Sequence, residues 1–150
     1  MGATHFSGPV VSGTLQQGET NGPNQGFAVL TQSTSITQNS TTAVSSTLYI
    51  PAGSEIIDFN IDVLTAFNSA TSATLTIGTA AAGTQYVGSI DAKTAGRAAP
   101  TYTAAQLAAM NGVTTTGTAA PTTAPVVVTV TPVGATSAGY VVVTIIYAQL

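Results

Sequence analysis

The sequence predicts an all-β fold: an antiparallel β-sandwich or jelly-roll-like barrel, preceded by an extended N-terminal arm and carrying at most one short helix. Three observations lead there. Valine and threonine are abundant, and β-branched side chains suit a pleated surface better than a helix. Apolar and polar residues alternate in short runs such as Ala73-Thr74-Leu75-Thr76-Ile77, the mark of a strand with one buried face. Glycine, proline and asparagine separate these runs, and turn signals between short strands indicate a sandwich or barrel.

Residues 1–25 form the arm. Gly8-Pro9, Gly13, Gly18 and Asn21-Gly22-Pro23 punctuate it, so regular structure is not expected. It nevertheless carries Phe6, Val10, Val11 and Leu15 beside His5. A solvated tail has little need of such side chains, so these five residues are expected to contact a neighbouring subunit or another protein; the alternative is a floppy terminus. Residues 26–150 are of ordinary size for a single domain.

Within that domain Phe27–Ile36 reads as the first strand. Thr42–Ile50 is the second, ended by the Pro51-Ala52-Gly53 turn. Glu55–Phe67 and Ala73–Ile77 follow, and Leu48–Gly78 as a whole reads as two antiparallel strands joined by a polar connection. In the longer of these, Ile57, Phe59, Ile61 and Val63 are expected to face inward and Asp58, Asn60, Asp62 and Leu64 outward. Gly78–Gly83 reads as a loop, Gln85–Ile90 as a short strand and Lys93–Pro100 as irregular. Thr103-Ala104-Ala105-Gln106 matches a capping box, with Leu107 and Met110 behind it and Asn111-Gly112 as a stop; this is the one helical turn expected. Thr114–Pro125 reads as a surface loop, Val126–Val130 as a strand stopped near Pro132, and Gly134–Gly139 as a turn. The last strand, Tyr140–Tyr147, is apolar on both faces, as in a central strand covered on both sides by a second sheet or by another subunit.

Composition excludes several classes of function. Charged residues make up 5% of the chain, against about 25% in an ordinary soluble domain. The net charge is −3 and the two cations are Lys93 and Arg97. A nucleic-acid binder needs several cations to displace counterions from phosphates, so no nucleic-acid partner is expected. No basic amphipathic stretch and no run of about 18 apolar residues points to a membrane, and the N-terminus lacks the pattern of a signal peptide. There is no cysteine, hence no disulfide, thiolate metal site or cysteine nucleophile.

The remaining constellations do not assemble a reaction. Asp58-x-Asn60-x-Asp62 has the opening spacing of a calcium loop, but Val63 stands where that loop needs glycine and Ser69 where it needs a bidentate glutamate. These three residues are expected instead to form a polar row turned to water or to a neighbouring subunit, with Asp58 or Asp62 meeting Lys93 or Arg97. His5 sits in a glycine-rich arm that does not hold a nucleophile and an orienting acid in place. A carboxylate pair for glycoside hydrolysis would need substrate-binding aromatics, and tryptophan is absent. No catalytic residue, cofactor or metal ligand is therefore expected, and the chain is not expected to be an enzyme. Tyr49, Tyr86, Tyr102, Tyr140 and Tyr147 read as core and interface residues, the alternative being a sugar-binding face.

The runs IPAGSEIIDFNIDVLTAFNSATSATLTIGT, QYVGSIDAKTAGR and PVVVTVTPVGATSAGYVVVTIIYAQL resemble a group of small virion proteins of tailed bacteriophages, the head decoration (cement) proteins and relatives of head fibres. The likeness lies in a Pro-Ala-Gly turn, a strand with Leu-Thr-Ala-Phe, a Thr-Leu-Thr-Ile-Gly-Thr strand, an Asp-x-Lys-x-x-Gly-Arg segment and a final strand reaching Tyr147. It covers most of Tyr49–Tyr147, and His5-Phe6-Ser7-Gly8-Pro9 is similar to openings of such proteins. The resemblance implies a β-sandwich bound to the outside of an icosahedral shell of HK97-type major capsid protein. It also implies a homotrimer at threefold or quasi-threefold positions, made in the host cytoplasm and resident in the virion. A phage tail or fibre module binding host-surface glycans is the alternative, and a non-viral adhesin or surface-layer domain a third reading.

Overall fold

The structure, a computed structural model, describes residues 28–111 and 123–149. The arm with His5, Phe6, Val10, Val11 and Leu15, and most of the Thr114–Pro125 loop, lie outside the described residues. In chain order the elements are β1 (Ala28–Thr37), β2 (Val44–Pro51), β3 (Glu55–Thr65), β4 (Ser72–Gly78), β5 (Val87–Asp91), β6 (Gly96–Ala98), α1 (Ala104–Met110), β7 (Thr123–Val133) and β8 (Tyr140–Gln149). Two four-stranded sheets form, in the orders β1-β8-β3-β6 and β2-β7-β4-β5, and every pairing is antiparallel. Only β4 and β5 are neighbours both in sequence and in a sheet; every other connection passes from one sheet to the other. That order is an eight-stranded jelly roll, and the expected all-β sandwich with one short helix is what the chain builds.

The alternation of the sequence sets the core. Phe59, Ile61 and Val63 of β3, Leu75 and Ile77 of β4, Val126, Val128 and Val130 of β7, and Val141, Val143 and Ile145 of β8 are buried between the sheets. Each such side chain contributes about 1.5–3 kcal/mol of transfer free energy before ordering costs. Prediction and structure part at Ile57. The register between β3 and β8 shifts between Ile56 and Asp58, so Ile56 takes the core position and Ile57 is 48% exposed. A β-bulge adds one residue to a strand and resets its alternation, which strict period-two reading of Ile56-Ile57 misses.

Leu48–Gly78 is not a hairpin. β3 bonds to β8 and β6, while β4 bonds to β7 and β5. The connection 66–71 carries the chain from one sheet to the other. Facing sheets lie about 10 Å apart, a gap a few residues span. Each strand's alternation specifies one buried face, and that face looks the same whether the partner lies beside it or across the core.

Two further expectations are corrected. Gly96–Ala98, placed in an irregular stretch, pairs with β3 as β6. Thr123–Pro125, assigned to a loop, begin β7, which also runs through Pro132 to Val133. Pro125 pairs with Tyr49 of β2, where β4 does not reach. Pro132 pairs with Ala73 of β4, where β2 does not reach. Each proline thus sits where this central strand has one hydrogen-bonded neighbour, so its missing N–H leaves no rung unmade.

Helix α1 closes the side between β5 and β6. The capping box forms as expected: Gln106 N–H donates to Thr103 Oγ1 at 3.3 Å and Thr103 N–H donates to Gln106 Oε1 at 2.9 Å. Met110 is buried, and Tyr102 and Ala109 pack on the core. Gln106 Nε2 also donates to the Thr84 carbonyl at 3.1 Å, tying the helix to the β4–β5 loop. At one end of the sandwich Asn68 joins two sheet-crossing connections. Its Oδ1 accepts the N–H groups of Ser137 (2.9 Å) and Ala138 (3.0 Å), and its Nδ2 donates to Ser137 Oγ at 2.8 Å. At the opposite end lie the starts of β1 and β7, the β2–β3 turn and the finish of β8, so residues 1–27 join the sandwich at that end.

Candidate functional site

The outer face of the β1-β8-β3-β6 sheet carries Asp58, Asn60 and Asp62, the polar row singled out by the sequence. Registration places Thr31, Ile146 and Asp58 in one row, Ser33, Thr144 and Asn60 in the next, and Ser35, Val142, Asp62 and Arg97 in a third. Strand β8 is central, as its sequence predicts. Its inner face is covered by the second sheet. Tyr140, Val142, Thr144 and Ile146 on its outer face are only half-buried. Val142 and Ile146, with Thr144 between them, therefore leave aliphatic surface along the middle of a sheet face that no described residue covers. Val29, in the row of Ala148, extends it and is 60% exposed; the bulged Ile57 lies at the same end. Leu64 is 62% exposed at the other end of β3.

Asp58, Asn60 and Asp62 form the expected ladder beside this surface. Asp58 Oδ1 accepts the Tyr102 hydroxyl at 2.6 Å and the Phe59 N–H at 2.8 Å. Burial, and after it the hydrogen bond to Asp58, push the Tyr102 hydroxyl well above the usual phenol range, so it stays a donor. Asp62 meets Arg97 of the same chain, with Nε donating to Oδ1 at 2.7 Å and Nη2 to Oδ2 at 3.0 Å. This bidentate hydrogen bonding holds the Asp62 carboxyl below its ordinary value and raises the Arg97 guanidinium. Lys93 Nζ lies 3.3 Å from the Thr71 carbonyl, to which it donates. Both carboxylates of the row are thus engaged by Tyr102 and Arg97. Among the described residues no group of three His, Cys, Asp or Glu is placed to hold a metal ion.

The tyrosines do not share a face. Tyr86 and Tyr147 are in the core, Tyr102 and Tyr140 are half-buried, and Tyr49 is 60% exposed on β2. Two shallow depressions of about 350 and 320 Å³ flank α1 and β6. The first is lined by hydroxyls, amides and alanines. In the second Asp91 is already bonded to the Lys93 N–H and the Thr94 hydroxyl, and Arg97 to Asp62. Among the described residues no helix is long and apolar enough to cross a membrane.

The sequence reading included the Asp62–Arg97 pairing among its alternatives, because Lys93 and Arg97 are the chain's two cations. It missed Tyr102 as the partner of Asp58, since the two are distant in sequence and nothing local links them. It also missed Val29 and Ile57 as surface residues. No protein-family model, curated protein or solved structure matches the chain.

Proposed function

We propose that this chain is a non-enzymatic structural protein of a tailed-phage virion that binds the outside of the icosahedral capsid and stabilises it, as a homotrimer at threefold or quasi-threefold capsomer junctions. The observation that carries the reading is the uncovered aliphatic surface of Val142 and Ile146 on β8, continued by Val29 and Ile57 toward the end at which residues 1–27 join the sandwich. A face of that kind suits a protein partner. The jelly-roll order agrees with the resemblance of the sequence to head decoration proteins, and so does the carboxylate row, whose groups are occupied in holding the fold. The partner is the major capsid protein of an HK97-type shell.

The chemistry suits such a role. A contact surface of hydroxyls, amides and aliphatic groups depends little on ionic strength, unlike one built on exposed ion pairs. Three modest contacts made together bind far more tightly than one. Binding only the assembled lattice stabilises that lattice by mass action. Sedimentation of purified, undecorated DNA-filled heads with the protein tests the reading. Saturable co-sedimentation is expected, changing little between low and high salt and sharply reduced by deletion of residues 1–25. Absence of binding to heads, or binding to isolated tails instead, sinks it.

A further inference from the structure

We infer that the free edge of β1 is completed by a strand from the arm of a second copy of this chain, residues Val10–Leu15, so that copies join by exchanging arms. The inference rests on the homotrimer of the proposed function and names what holds that trimer together.

Among the described residues four strands lie on sheet edges, β1, β6, β2 and β5. Exposed edges invite pairing with another chain, and proteins guard them with short length, charge, proline or bulges. Two of these edges are guarded along their length, and a third, β2, only at its last residue. β6 is three residues long and carries Arg97. β5 is five residues long, has an irregular register with β4 and ends in Asp91. β2 ends in Pro51. β1 has none of these devices. It is ten residues long, with no charge and no proline, and pairs with β8 through ten successive residues without a break. Its first four residues, Ala28 to Thr31, are exposed on both faces, including the inward-directed Leu30. A flat edge with uncovered apolar side chains on each face is the geometry used for strand addition.

The occupant is argued from the chain that precedes Ala28. Val10-Val11-Ser12-Gly13-Thr14-Leu15 carries no charge and follows Pro9; its valines, threonine and leucine suit an added strand, and Gly13 allows the close backbone approach that pairing needs. From Leu15 to Ala28 the chain spans up to roughly 43 Å at about 3.3 Å per residue, enough to reach a neighbouring sandwich. Symmetry separates this occupant from the other self-contact. Pairing β1 with β1 of another copy is isologous and stops at a dimer, whereas arm on edge is compatible with the ring of three that the proposed function requires, as well as with reciprocal exchange in a pair.

The absence of native cysteine permits a clean test in solution without capsids. Ser12→Cys in a chain with one tag and Ser33→Cys in a chain with a second tag are co-expressed, and the mixed oligomers are treated with a short bis-maleimide. Cross-linked species carrying both tags are expected. In a parallel sample both substitutions sit in one chain diluted with excess wild type. Cross-links found only within that chain mean that the arm folds back on its own edge, and they overturn the inference, as does the absence of any Ser12–Ser33 link. Deletion of residues 1–25 is expected to leave a monomer with an unchanged β-sheet spectrum; a trimer that survives the deletion also overturns it. Head binding is scored separately. Loss of exchange with head binding intact removes only this inference, and exchange without head binding removes only the capsid reading.

Discussion

On its β5–β6 side the sandwich is closed by two short strands, a capped helix and the Arg97–Asp62 pair. On its β1–β2 side a ten-residue and an eight-residue strand lie over each other, joined by a hydroxyl pair, Thr34 to Ser46 at 2.6 Å. Behind the closed side stand Phe59 and Tyr86, with ring centroids 6.3 Å apart; behind the open side Val44 and Leu48 are only partly buried. The Arg97–Asp62 charges and the paired aromatic rings lie on the closed side, while β1 and β2 carry no charge. The difference is in who supplies the cover. Local elements of the chain seal one side, and no described residue covers the edges of the other.

The contrast is most easily broken at the core. Phe59→Ala is expected to cost about 3–5 kcal/mol by urea denaturation, the usual loss for a buried aromatic in a site that collapses poorly. Leu48→Ala on the open side should cost well under half of that. Equal losses would mean that both sides are packed alike. Gly78→Ala comes next. A Cβ there would lie 2.6 Å from the Gly83 carbonyl carbon, so the β4–β5 loop has to shift, at about 1–3 kcal/mol.

Tyr102→Phe should have a smaller effect, about 0.5–1.5 kcal/mol at neutral pH, for the lost hydrogen bond to Asp58. It also has a pH signature. Tyr102 and Tyr86 titrate above the ordinary phenol value, each chiefly because of burial. A raised folded-state pKa contributes stability that is complete below about pH 10 and is lost as pH rises beyond it. Melting temperature should therefore fall in alkali, less steeply in Tyr102→Phe than in wild type. The smallest change is expected for Arg97→Gln, because this pair is solvent-exposed. The lowered pKa of Asp62 has the opposite sign: its contribution is present above about pH 4 and is lost as pH falls further. Arg97→Gln should flatten that acid limb and reduce its salt dependence. An acid limb identical in the variant would show that the pair closes nothing.

Much of the architecture was legible residue by residue. Leu75 and Ile77 against Thr74 and Thr76 declared an inner and an outer face, and both are as read. Thr103 and Gln106 announced a helix start through side chains three residues apart. The doubly apolar Tyr140–Tyr147 declared a central strand covered on both sides; β8 is central, while its own chain covers only its inner face. The candidate site was less legible. The row Asp58, Asn60, Asp62 could be read, but the β8 surface beside it could not be assigned to that row. Their adjacency depends on β3 and β8 pairing across some eighty residues of chain.

The sequence by itself determined which side chains are buried along most strands, where the helix is capped, and that the surface holds almost no charge. These follow from period, cap chemistry and composition, all of which act within a few residues. Only the tertiary structure decided that β3 and β4 part into opposite sheets, that Ile57 bulges out, that Gly96–Ala98 becomes a strand, and that Pro125 and Pro132 are tolerated in a central one. Each of these depends on which partner lies alongside, and an alternating pattern is blind to its partner. The same long-range choice left β1 on an edge, ten residues long and unguarded, directly after the arm.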